Sequence, residues 1–473
     1  AGAAVAAGGS GGGGGGGGAG AGAGAAAAAD TPAARAARAA EELLASPVLP
    51  ADILEEAVSG TVRKAEHFLR YMRHFVRHLR TRISVAAVEV ETPLAFITRM
   101  KEELQVDSKP LRFAYSRLNS LLRTLEVVNV DEYTPLSLVA DFATLAATYE
   151  DGFMIIIEPS APATPEIPDP VLQLACLDAS LAIKPVFDKF KAVVLTSGTL
   201  SPKEVYSKML GFTPVVQQSF EMSMIRSCIC PVVATKGADE VAMSTRFEVR
   251  EDVRVVTNYA RLVTGLADVT PDGMVCFFPS YAYLEFIVAA WEEMGVLETL
   301  QRSKLLFIET KDVVETTLAL DNFKRACECG RGAVFFSIAR GKVAEGIDFD
   351  RHFGRLVVLF GVPFQYSQSR VLLARLEFLR HNFGIAEPVF NEFDAVRQAS
   401  QCVGRIIRSK SDYGMMVFAD KRYARDSIQR KLPRWITQHL EPEHSDVSTD
   451  QCVSAARRFF TSIAQPLDRP ATA

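Results

Sequence analysis

The sequence predicts an α/β fold: a parallel sheet flanked by helices, preceded by a mainly helical region and by an Ala/Gly-rich N-terminal segment. Three observations carry this. From about residue 220 short apolar runs alternate with longer amphipathic stretches, and strands separated by helices imply a parallel sheet covered on both sides. The apolar runs, such as Leu-Val-Val-Leu-Phe at 356–360, are continuous, as in strands buried on both faces. Residues 51–150 instead carry apolar side chains at helical spacing.

Residues 1–29 are alanine and glycine apart from Val5 and Ser10. Glycine loses the most entropy on ordering and nothing here is large enough to bury, so residues 1–50, closed by Pro47 and Pro50, are expected to be disordered. In the stretch 51–79, Phe68, Met72, Phe75 and Leu79 share one helical face. Arg63, Arg70, Arg73, Arg77 and Arg80 share the other, where a solvated face and a DNA- or partner-contacting face are both open readings. Lys109-Pro110-Leu111-Arg112 opens a second helix running through Leu125, and Pro135 opens a third over 136–149.

Strands are expected at 153–158 and 172–177, on either side of a loop containing Pro162, Pro165, Pro168 and Pro170, and a short helix at 183–190. Ala192-Val193-Val194-Leu195-Thr196 reads as a strand buried on both faces, ending in Ser197-Gly198-Thr199-Leu200-Ser201-Pro202. Small hydroxyl residues at the end of a parallel strand stand where α/β proteins bind ligands. A plain turn, with Ser201 capping a helix, is the other reading. Beyond residue 220, strands are expected at 274–278, 305–308, 333–337, 356–360 and 415–418, and helices at 281–293, 315–328, 369–383 and 393–408.

Two stretches in this half carry chemistry. The loop Ala339-Arg340-Gly341-Lys342-Val343-Ala344-Glu345-Gly346-Ile347-Asp348-Phe349 puts two cations, two carboxylates and two further glycine-provided approaches behind a strand end. Gln401-Cys402-Val403-Gly404-Arg405-Ile406-Ile407-Arg408 puts Arg405 and Arg408 three apart, on one face if helical, with Gln401 one turn earlier and Gly404 leaving room for close approach. An arginine fork matches phosphate oxygens.

Of the 473 residues 48% are hydrophobic and 23% charged, as in a globular protein, and the net charge of −4 makes any nucleic-acid surface local rather than global. The eight cysteines are scattered; Cys228/Cys230 and Cys327/Cys329 form C-x-C pairs, so buried reduced thiols are expected and no metal site. No run is long and apolar enough to span a membrane.

Taken together, A-R-G-K-V-A-E-G-I-D-F, G-V-P-F, Q-C-V-G-R-I-I-R and S-D-Y-G-M-M-V-F-A-D-K-R-Y resemble the XPD-type iron–sulfur superfamily-two DNA helicases. Thr196–Pro202 is similar to that family's motif III, 272–281 to its motif IV, and 65–69 with 109–113 to its Arch domain. Beyond the segment 1–50, the resemblance implies the end of an Arch domain at 51–178, the last strands of a first RecA-like motor domain at 179–219 and a second motor domain at 220–473.

It further implies ATP and Mg2+ bound between two motor domains, with Arg405 and Arg408 at the γ-phosphate. Gln401 and Gly404 would stand beside them, and Ser197 and Thr199 would connect the motor domains. Arg340, Glu345, Gly346 and Asp348 would link nucleotide state to DNA grip. The implied partners are single-stranded DNA, duplex junctions and other subunits of TFIIH. The implied setting is the nucleus, in nucleotide-excision repair and transcription initiation, with 5′-to-3′ polarity.

The departures are as informative. The sequence contains no G-x-x-x-x-G-K-[ST], no DEAH box and no counterpart of the cysteines that hold the family's 4Fe-4S cluster. The chain, whose first residue is Ala1, is therefore expected to be a fragment that is inactive alone. A non-enzymatic scaffold that binds DNA or TFIIH partners, and a related iron–sulfur helicase outside TFIIH, remain the alternatives.

Overall fold

The computed structural model describes residues 65–84, 87–104, 108–126, 129–159, 170–220, 228–409 and 412–464; the disorder expected at 1–50 lies outside them. Two compact units emerge. One holds the described residues through Asp151 together with Ile157–Leu174, and the other holds Gly152–Ile156 and the residues from Ala175 onward.

The first unit is mainly helical, as expected. It comprises α1 (Ala65–Arg82), β1 (Glu89–Glu91), α2 (Pro93–Leu104), α3 (Lys109–Arg112), α4 (Ala114–Thr124) and α5 (Thr134–Thr148). Phe68, Met72 and Phe75 of α1 are buried with Phe96, Met100, Leu111 and Leu118, which is the stripe that the helical spacing marks. The single helix expected from Lys109 through Leu125 is broken at Phe113 into α3 and α4. The strands β2 (Phe153–Glu158) and β3 (Val171–Cys176) follow, in a three-stranded sheet of order β1–β2–β3.

The second unit is built on a seven-stranded sheet of order β10–β4–β9–β8–β5–β7–β6, in which neighbouring strands pair in parallel. Its strands are β4 (Ile229–Lys236), β5 (Gly273–Phe278), β6 (Leu305–Ile308), β7 (Ala333–Ile338), β8 (Leu356–Phe360), β9 (Gly414–Ala419) and β10 (Val447–Ser448). Every residue of β5, β7, β8 and β9 is buried.

Successive residues of these strands feed two cores. Met274, Cys276 and Phe278 face one core, shared with α8 (Val253–Val269), α9 (Tyr281–Glu293), α10 (Val296–Ser303) and α17 (Thr449–Ala464). Val275 and Phe277 face the other, shared with α11 (Val313–Glu328) and α14 (Glu387–Val403). Each fully buried large apolar side chain contributes about 1.5–3 kcal/mol. The remaining helices are α6 (Ser180–Lys189), α7 (Lys203–Met209), α12 (Lys342–Gly346), α13 (Arg370–Phe383), α15 (Asp426–Gln429) and α16 (Arg434–Thr437).

Two expectations are corrected here. Residues 192–196 are not a strand: they pair with no strand among the described residues, and Val194 is 85% exposed. A strand buried on both faces needs neighbours to satisfy its backbone groups, and no described strand provides them. Ser201 does not cap the next helix either: α7 begins at Lys203 with Pro202 before it and no side-chain cap.

Candidate functional site

Ordinary helix chemistry delivers α14 to the site. Pro388 sits in its first turn, where a missing N–H costs nothing, and Phe393, Val396, Ala399 and Val403 bury its inner face. The helix stops at Val403, however, and does not reach Arg408. Gly404–Ile406 form one tighter turn, and Ile407 is extended at φ −121° and ψ 106°.

Arg405 and Arg408 therefore do not share a helical face. They converge instead on one carboxylate. Arg405 Nη1 lies 3.2 Å from Asp348 Oδ1, its Nη2 donates to the Glu345 carbonyl at 2.7 Å, and Arg408 Nη2 donates to the same Asp348 Oδ1. The backbone ties the two stretches as well, since Phe349 N donates to the Arg405 carbonyl at 3.0 Å.

Arg408 is held from behind. Its backbone N–H and that of Ser409 donate to Asp412 Oδ2 at 2.9 and 2.8 Å, and Arg351 N donates to Oδ1. Burial works to raise the Asp412 carboxyl, but these backbone donors outweigh it and hold the group below its ordinary value.

The cluster does not lie at the C-terminal ends of the strands. Ile406 packs against Gly354, two residues before β8, and against Gly414, which opens β9. The loop 339–349 leaves the C-terminal end of β7 and runs back along α14, so its two ends serve different places.

Arg340 belongs to the other end. Its guanidinium donates to the Pro363 carbonyl at 2.9 and 2.6 Å and to Asp394 Oδ2 at 2.6 Å. Asp394, in the first half of α14, also accepts from Gln365 and Arg397. Desolvation raises the Asp394 carboxyl, but the Arg340 charge and these donors prevail and hold it below the usual range. Nearby, Gln398 donates to the Ala339 carbonyl, and Cys402 Sγ approaches the same carbonyl at 3.4 Å. Complete burial pushes the Cys402 thiol up to about 12, so it is a packing group and not a nucleophile.

Gly341 is a close-approach glycine. A Cβ there would stand 2.6 Å from Glu309 Oε1, and the buried Glu309 carboxylate accepts from Ser337 Oγ, Ile338 N and Tyr281 OH at 2.6, 3.0 and 2.9 Å. Gly404 is less demanding. At φ −70° any residue fits its backbone, and the nearest atom to a Cβ there would be a Trp435 ring carbon at 3.6 Å.

Trp435, from α16, is the residue that sequence reasoning left without a role. Its indole Nε1 donates to the Gly198 carbonyl at 2.8 Å while its ring covers Gly404. It thereby joins the Ser197–Thr199 turn, in which Ser197 Oγ accepts from Thr199 N at 3.2 Å, to the Gln401–Arg408 stretch. Gln401 is half-buried, and Gly346 is exposed at the end of α12. Asp394 was also legible in principle, as a carboxylate inside the apolar run Phe393-Asp394-Ala395-Val396.

Six of the eight cysteines are buried, Cys176 and Cys329 are exposed, and all are free thiols. Among the described residues no three His, Cys, Asp or Glu side chains are grouped as metal ligands, so these residues do not fit an iron–sulfur cluster. No described helix is long and apolar enough to cross a membrane.

Residues 263–439 match the model of a helicase C-terminal domain, and residues 32–152 that of a helical and beta-bridge domain. With the parallel sheet, these matches define the class: a helicase C-terminal domain of α/β type, preceded by a helical and beta-bridge domain. The chain is 56% identical over 432 residues to the general transcription and DNA repair factor IIH helicase subunit XPD of Arabidopsis thaliana, covering 91% of this chain and 57% of that protein. Against the XPD subunit of Schizosaccharomyces pombe it is 50% identical over 433 residues, covering 92% and 56%. A regulator of telomere elongation helicase 1 homolog from Drosophila persimilis is 28% identical over 286 residues, covering 59% and 28%. The chain belongs to the XPD helicase family, and it spans a little over half the length of the XPD subunits it matches.

Proposed function

We propose that this chain is the C-terminal portion of an ATP-dependent 5′-to-3′ DNA helicase that serves TFIIH in nucleotide-excision repair and transcription initiation, in the nucleus. The observation that carries the reading is the convergence of Arg405 and Arg408 on a single carboxylate oxygen of Asp348. Two fixed cations already seat one anion there, and a phosphate oxygen fits the same forks. In this reading residues 51–178 are the end of the Arch domain, 179–219 the end of a first motor domain and 220–473 the second.

ATP with Mg2+, bound between the motor domains, supplies the phosphoryl group that is transferred to water. The chain's own part is electrostatic. Arg405 and Arg408 stabilise charge that develops on the γ-phosphate, and Gln401 orients beside them. Asp348 holds the two forks in register before nucleotide arrives. Arg340, locked to Asp394 at the strand end, and Glu345, whose carbonyl holds Arg405, sit on the same loop. That loop couples the arginine pair to the edge where DNA is gripped. The Trp435–Gly198 hydrogen bond lets the Ser197–Thr199 turn sense the position of the second motor domain.

The test joins this chain to the N-terminal portion of the Arabidopsis relative. Strand displacement is then measured on duplexes with a 5′ or a 3′ single-stranded tail. Unwinding of the 5′-tailed duplex alone supports the reading, whereas unwinding from the 3′ tail, or DNA binding with no unwinding at all, favours the scaffold reading.

A further inference from the structure

α1 carries four exposed arginines, Arg70, Arg73, Arg77 and Arg80, on the side opposite its buried Phe68, Met72 and Phe75. At about 100° and 1.5 Å per residue, the four fall within an arc of roughly 80° and a length of about 15 Å. None of them is within ion-pair distance of a carboxylate among the described residues. The fifth arginine of the helix, Arg82, is paired with Glu89 and Glu91 at 2.6 and 2.7 Å. The only acidic side chain of the helix is Glu66, in its first turn. Like charges three and four residues apart destabilise a helix. A stripe of four with no carboxylate partner among the described residues is thus a local excess of positive charge in a chain of net charge −4.

We propose that this arginine stripe is a nucleic-acid backbone site, separate from the Arg405–Arg408 cluster, that takes successive phosphates of a single strand. The proposal rests on the helicase reading for its ligand class and adds a second place of contact. Two features favour phosphates over an acidic protein, and a third fits both equally. The stripe is charged from end to end, whereas the arginines that protein–protein interfaces bury at their centre stand among apolar and aromatic side chains. Leu69, 39% exposed, is the single large exposed apolar side chain of α1, so there is no apolar anchor. All four cations are arginine, whose fork engages phosphate oxygens in pairs.

The test uses the complete chain and a labelled oligodeoxythymidylate, with affinity measured by fluorescence anisotropy across a salt series. Each phosphate contact to a single strand contributes about 0.7 to the slope of log affinity against log salt. Replacing Arg70, Arg73, Arg77 and Arg80 together by alanine is expected to reduce that slope by about 3 and to weaken binding at low salt at least about tenfold. Alanine is the better helix former, so circular dichroism is expected to show α1 intact. The corresponding four-lysine variant is expected to keep the slope.

An unchanged slope in the alanine variant overturns the stripe while leaving the helicase reading standing. So does a variant that keeps DNA affinity but loses binding to poly-L-glutamate, which would assign the stripe to an acidic protein. Absence of DNA binding by the unaltered chain overturns the stripe as well. Failure of the joined protein to unwind any duplex, with the slope still falling in the alanine variant, would instead separate DNA binding from the helicase reading.

Discussion

Arg405 Nη1 lies 3.2 Å from Asp348 Oδ1, and the same oxygen also accepts from Arg408. Two arginines without this carboxylate between them would repel and sample many rotamers. The pair is half-exposed, so its contribution to stability is small, below about 1 kcal/mol. Its contribution to geometry is larger. Replacing Asp348 by alanine is expected to leave the melting temperature nearly unchanged while lowering DNA-stimulated ATP turnover of the joined protein by about 10²-fold, as misplacement of a catalytic group does. Unchanged turnover would show that Asp348 does not position the arginines.

Asp394 sets a pH dependence. Its carboxyl is held below the ordinary value in the folded chain by Arg340, Arg397 and Gln365. A carboxylate depressed in this way contributes stability that is fully present above the unfolded value, near about 4, and is lost as pH falls through the lower folded value. Urea midpoints are expected to hold steady above that pH and to drop below it. Asp394→Asn should flatten the acid limb and cost about 3 kcal/mol at neutral pH, because Arg340 and Arg397 lose their counter-ion in a largely buried setting. Equal acid limbs in the two proteins would remove Asp394 from this role.

Much of this architecture was legible in the sequence. Continuous apolar runs located β5, β7, β8 and β9 to within about two residues at each end, because a strand buried on both faces leaves no alternation to confuse; the edge strand β6, only partly buried, was marked by its apolar run alone. Pairing was not legible: β4 (Ile229–Lys236) is interrupted by Pro231 and ends in Thr235-Lys236, so its apolar run is less continuous, and the two-residue β10 has no pattern of its own. The run Ala192–Thr196 shows the converse, since strand-like composition makes no strand without neighbours.

At the site, sequence spacing placed Arg405 and Arg408 together for a reason the structure replaces. The helix ends at Val403, and a tertiary contact with Asp348, some sixty residues away in sequence, makes the pair. Contacts such as Trp435 to Gly198 have no local signature at all.

The chain by itself is expected to release no phosphate from ATP above background, with or without single-stranded DNA. The Gly341-Lys342 pair is followed by Val343, which supplies no hydroxyl, and the sequence contains no G-x-x-x-x-G-K-[ST] of the kind whose amides cradle phosphates. DNA-stimulated phosphate release abolished by Arg405→Ala would reveal a nucleotide site within this chain.

The central claim is that Arg405 acts on the leaving γ-phosphate and not on the fold or on DNA. The direct measurement is DNA-stimulated ATP turnover of the joined protein carrying Arg405→Ala, alongside its single-stranded DNA affinity and melting temperature. An arginine finger contributes on the order of 10³-fold or more, and lysine keeps the charge without the fork. Turnover is therefore expected to fall by about that factor, with little rescue by Arg405→Lys, while DNA affinity and melting temperature stay near those of the unaltered protein. Near-normal turnover in Arg405→Ala, or a parallel loss of DNA binding, would contradict the account.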